Sequence, residues 1–89
     1  MNESVKEAPK TREEILRLNL DARVQEVMHY QINIDNYGLA LAHIAAKDHN
    51  ERAELSAFAE QLTNLLASER SEQKKAKVML DVIRQQLED

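Results

Sequence analysis

From Leu16 onward the apolar positions recur alternately four and three residues apart: Leu16, Leu20, Val24, Val27, Ile34, Leu41 and Ala45, with Gln31 and Gly38 at the intervening steps. That spacing lays one stripe along a helix that packs in a bundle or an antiparallel coiled coil. The phase holds through residues 32–38, INIDNYG, although Asn33, Asp35, Asn36 and Gly38 are poor helix formers. Together they cost roughly 3 kcal/mol relative to alanine. Burying Ile32, Ile34 and Tyr37 offsets this at about 1.5–3 kcal/mol each, and a break would leave about eight more backbone groups unpaired. The pattern therefore predicts one helix running through the segment. Gly38, on the stripe, is expected to admit a neighbouring helix closely, the alternative being a hinge.

The boundaries are written in capping chemistry. Thr11 followed three residues later by Glu14 forms a capping box, and Asp48 with Glu51 repeats the pattern, each satisfying backbone N–H groups that a helix start leaves free. Residues 1–10 carry the single proline and no periodicity and are expected to be a disordered tail. The domain at residues 11–89 is predicted as a helix over about 12–47, a loop at 47–50 and a second helix over about 50–88. A connection that short sets the two helices antiparallel and adjacent. The second helix is expected to turn Leu55, Phe58, Leu62 and Leu65, then Ala76, Met79, Ile83 and Leu87 or Gln86, toward the first. The stretch SERSEQKK between them has no apolar residue, and a break at 68–71 is the alternative reading.

The fold class that follows is all-α: a long antiparallel helical hairpin. The first helix is apolar beyond one stripe, with Met28, Ile32 and Leu39 on one side and Ile15, Tyr37 and Ile44 on the other. One partner helix covers one stripe. The excess predicts a homodimer, two hairpins making a four-helix bundle, with a monomeric three-helix bundle as the alternative. Leu20, Val24, Val27, Ile34, Tyr37, Leu41 and Ile44 are the expected self-association residues. Glu69 and Glu72 are expected opposite residues 23–29, either as a polar layer that fixes register or as a locally loose, solvated mid-section.

Composition narrows the class of function. With 89 residues, the chain is one small domain with little room for a deep cleft. One Gly, three aromatic residues and 31% charged residues suit packed helices. The absence of cysteine excludes disulfides, thiolate metal sites and cysteine nucleophiles. A net charge of −4 disfavours direct binding to nucleic acid. No apolar run approaches a membrane span and the first ten residues lack the core of a signal peptide, so a cytoplasmic location without membrane contact is expected.

Chemistry is sparse. Glu26-x-x-His29 has the spacing by which ferritin-like bundles hold a di-iron centre, and in a dimer Glu69 and Glu72 would supply bridging carboxylates. The helical wheel turns Glu26 and His29 off the apolar stripe, so surface roles are expected for them, and no metal or other cofactor is assigned. His43 and His49 share no face and have no Ser or Cys partner in a catalytic pattern. Arg70 with KKAK at 74–77 is expected to be a solvated face rather than a nucleic-acid site.

The run LNLDARVQEVMHYQINIDNYGLALAHI, with MLDVIRQQL later in the chain, resembles small uncharacterised helical proteins of enterobacterial phages and prophages. The resemblance covers most of the chain after Thr11 in overall texture, without a diagnostic motif. It implies a bacterial cytoplasmic setting and an accessory role such as binding and modulating a host protein. The expected function is thus a non-enzymatic helical interaction protein that self-associates and engages another protein. The alternatives are a dimeric carboxylate-bridged metal protein and an acidic regulator of a nucleic-acid-binding protein.

Overall fold

The computed structural model describes residues 9–89. Three helices follow one another: α1 Arg12–Ala45, α2 His49–Glu54 and α3 Ser56–Glu88. The tail expected at residues 1–10 lies, for residues 1–8, outside the described residues. The chain forms an antiparallel hairpin in which α1 and α3 pack against each other along their length.

α1 opens on the anticipated capping box. The Thr11 hydroxyl accepts from the Glu14 N–H at 3.1 Å, and the Glu14 carboxylate accepts from the Thr11 N–H at 2.9 Å. The helix then runs without interruption through residues 32–38. Ile34 and Tyr37 are half-buried in the seam with α3, whereas Ile32, expected to share in the offset, is 55% exposed; the poor propensities of Asn33, Asp35, Asn36 and Gly38 do not break the helix. It ends at Ala45, two residues before the expected boundary, and the Asp48 carboxylate caps α2 by accepting from the Glu51 N–H at 2.9 Å. The connection is therefore residues 46–48 rather than 47–50.

The second helix is interrupted, but at Leu55 rather than at 68–71, where α3 is continuous. The interruption is local. The Leu55 N–H still bonds to the Glu51 carbonyl at 3.0 Å and the Ala59 N–H to the Leu55 carbonyl at 2.8 Å, so the backbone ladder passes across it.

The packed stripe of α3 has a different phase from the one expected. It reads Leu55, Ala59, Leu62, Leu66, Glu69, Gln73, Ala76, Leu80, Ile83 and Leu87, an unbroken alternation of four and three, and none of these is exposed. Phe58, Leu65 and Met79, expected there, stand outside it at 48%, 39% and 43% exposure. The observed phase joins both apolar halves of α3 across the polar middle with only Glu69 and Gln73 as polar members, and Ala59 and Ala76 let the helices approach. On α1 the seam passes through Leu16, Leu20, Arg23, Val27, Tyr30, Ile34, Tyr37, Leu41 and Ile44. It is rotated toward the tyrosines and away from Gln31 and Ala45, which are exposed.

Register is marked by three cross-links between the helices. Arg12 donates to Gln86, Asn33 donates to Glu69, and the Gln73 amide donates to the Val27 carbonyl at 3.2 Å and to the Gln31 side chain at 3.0 Å. Gly38 does not serve the close approach expected of it: a methyl group there would meet nothing within 4 Å, and its φ is not positive. It is neither a contact point nor a break.

The outcome is a long, thin molecule. Its radius of gyration is 20.9 Å, against about 12 Å for a compact domain of this length. The buried apolar core among the described residues is Ile44, Leu62, Ala76, Leu80 and Ile83.

Candidate interaction surface

The two long helices bury one seam each, and beyond the half-buried residues that border it the side chains face out. Among the described residues ten large hydrophobic side chains remain exposed: Ile15, Leu18, Met28, Ile32 and Leu39 on α1, and Phe58, Leu65, Val78, Met79 and Val82 on α3. They are ordered. On α1, Leu18, Ile32 and Leu39 fall on a seven-residue step with Gln25 in the gap; on α3, Phe58, Leu65 and Met79 do the same with Glu72 in the gap. A seven-residue step keeps side chains on one side of a helix that is itself wound in a two-helix coil. Each helix therefore carries a second apolar stripe in addition to the one used inside the hairpin.

The expected association residues lie in or beside the hairpin's own seam. Leu20, Val24, Val27, Ile34, Tyr37 and Leu41 are half-buried and Ile44 is buried, because these seven form or border the seam that α3 covers. Of the residues expected to be in excess on α1, Met28, Ile32, Leu39 and Ile15 are exposed, whereas Tyr37 and Ile44 belong to the seam. Sequence reasoning missed Leu18 and the whole α3 stripe. The signal was available: once Ala59, Leu66 and Leu80 are taken as the seam, Phe58, Leu65 and Met79 are each one residue out of phase with it.

At mid-length the surface is polar. A recess of about 180 Å³ is lined by Arg23, Glu26, Tyr30, Glu72, Lys75 and Met79 among others. Arg23 pairs with Glu26 at 2.7 Å and Lys75 with Glu72 at 2.9 Å. Loss of hydration pushes the Tyr30 phenol above its ordinary range, and the nearby carboxylates of Glu26, Glu72 and Glu69 add to this while Lys75 opposes it. The Tyr30 ring meets that of His29 edge-on, centroids 6.4 Å apart. A larger open groove beside it, about 990 Å³, runs past Ala22, Gln25, Met28 and Ile32 to Met79 and Val82.

The four carboxylate and imidazole candidates are near the same level but are engaged separately: Glu26 with Arg23, Glu72 with Lys75, Glu69 with Asn33, and His29 against Tyr30. Among the described residues no three His, Asp or Glu side chains are grouped as a metal site would require. His43 lies exposed in the last turn of α1, and His49 opens α2 rather than sitting in a loop. Arg70, Lys74, Lys75 and Lys77 are all exposed on α3. Among the described residues no helix is long and apolar enough to cross a membrane.

Comparison with known proteins yields no matching family model, no matching curated protein and no matching solved structure.

Proposed function

We propose that this chain is a non-enzymatic helical interaction protein that self-associates, two hairpins combining as a four-helix bundle, and that serves as an accessory protein to another macromolecule. The observation that carries this reading is the ordered apolar stripe left outward on each long helix. Isolated exposed hydrophobics are normal on soluble proteins, but stripes at coiled-coil spacing are interaction surfaces.

Light scattering coupled to size-exclusion chromatography tests the reading. The expected result is a mass twice that of the 10.2 kDa chain, falling toward the monomer on dilution. A monomer at every concentration, with its helices intact by circular dichroism, would overturn it. The metal-binding alternative is checked on the same material: iron, manganese or zinc in proportion to protein would support it.

A further inference from the structure

The two outward stripes are complementary to each other. Read from its N-terminal end, the α1 stripe is Ile15, Leu18, Gln25, Ile32, Leu39. Read backward, the α3 stripe is Val82, Met79, Glu72, Leu65, Phe58. The steps between successive members are the same in both, and the single polar position falls at the same place. Laid antiparallel, Ile15 meets Val82, Leu18 meets Met79, Ile32 meets Leu65 and Leu39 meets Phe58, while Gln25 meets Glu72, to whose carboxylate its amide can donate.

Resting on the self-association reading, we infer that the α1 stripe of one copy packs on the α3 stripe of a second copy in this register. Within one chain the stripes cannot meet, because the seam between α1 and α3 is already occupied by Leu20, Val27, Ile34, Leu62, Leu80 and Ile83. The α1 stripe lies on the side of α1 away from its own seam and the α3 stripe directly beside its own, so this pairing sets α1 of one copy between α3 of its own chain and α3 of the second, with the two connections at the same end. Like-on-like arrangements fit less well. Antiparallel α1 on α1, with Leu18 against Leu39, sets Ile32 against Gln25. Antiparallel α3 on α3 sets Leu65 against Glu72, or Glu72 against its own copy, a like-charge contact. A lipid surface is disfavoured by Glu72 in the middle of the α3 stripe, because interfacial helices set lysine and arginine beside their apolar face.

The chain has no cysteine, so single-cysteine variants report proximity without background. Mixing Leu39→Cys with Phe58→Cys, and Leu18→Cys with Met79→Cys, under mild oxidation should give covalent heterodimers, since a disulfide requires Cα atoms within about 7 Å. The mixture of Leu39→Cys with Met79→Cys should not, the two levels being about 30 Å apart along the rod. As an independent readout, Leu39→Glu should weaken association roughly 30-fold while leaving helicity unchanged. A dimer by light scattering that links Leu18→Cys to Leu39→Cys, or that links none of the matched pairs, would overturn this register and leave self-association standing. A protein that is monomeric throughout would overturn both.

Discussion

The side-chain amide of Gln73, 7% exposed, donates to the Gln31 side chain at 3.0 Å across the middle of the hairpin. Gln73 is the one buried polar residue among the described residues, in a seam that also carries the half-buried Arg23 and Glu69, and a second contact to the Val27 carbonyl at 3.2 Å holds its amide in place. A polar residue at such a position specifies alignment at some cost in stability. Gln31 is exposed and regains water when its partner is removed. Gln73→Leu is therefore expected to stabilise the fold by about 1 kcal/mol, the burial gain exceeding the lost hydrogen bonds. Chemical denaturation at fixed protein concentration checks the sign, and amide resonances in the variant should show more than one register. Destabilisation would mean that the amide contributes more than alignment.

Leu62 and Leu65 are neighbours on α3 with opposite expected behaviour. Leu62 is 4% exposed in the seam and Leu65 is 39% exposed on the outward stripe. Leu62→Ala should cost about 2–5 kcal/mol whatever the protein concentration. Leu65→Ala should change the dilute protein by less than about 1 kcal/mol yet reduce the rise of the melting temperature with concentration that marks an associating fold. Equal effects from the two substitutions would show that the stripe has been misassigned.

The limits of sequence reading here have a physical origin. The capping box at Thr11, the short antiparallel connection and the continuity of α1 were legible because each depends on local chemistry or on periodicity within one helix. The phase of α3 was not. Phe58, Leu65 and Met79 have the same seven-residue spacing as Ala59, Leu66 and Leu80 and are larger, so hydrophobicity alone favours the wrong stripe. The choice was settled across the hairpin, where Ala59 and Ala76 permit close packing and Gln73 finds Val27 and Gln31. For the same reason the seven residues expected to mediate association proved to form or border the internal seam. A stripe's existence is local information, but what covers it depends on the partner.

Gly38 provides a test of the backbone. It sits inside α1 with ordinary helical geometry and open space where a methyl group would go. Alanine there restricts the unfolded chain without creating a clash, so Gly38→Ala should stabilise by about 0.5–1 kcal/mol. Thermal melts of the two proteins at equal concentration decide the matter. A loss of stability would mean that a neighbouring helix approaches this face in the assembled protein.

The first turn of α1 should impose an acid limit. The Glu14 carboxyl titrates below its ordinary value of 4.5, chiefly because its ionised form accepts the Thr11 backbone N–H, with a further contribution from the Thr11 side chain. A carboxylate whose folded-state value is depressed stabilises the fold above its unfolded value, and that contribution disappears as pH falls through the folded value. Glu14→Gln keeps an acceptor for the Thr11 N–H but removes the charge that favours the helix N-terminus. The parent should therefore be more stable than Glu14→Gln at neutral pH, with the difference shrinking as the pH falls below the ordinary carboxylate value and lost once the folded-state carboxyl is protonated. Subtracting the two melting profiles cancels the other acidic groups. A difference that does not shrink as the pH falls below the ordinary carboxylate value would show that the depressed carboxyl has no part in holding the start of α1.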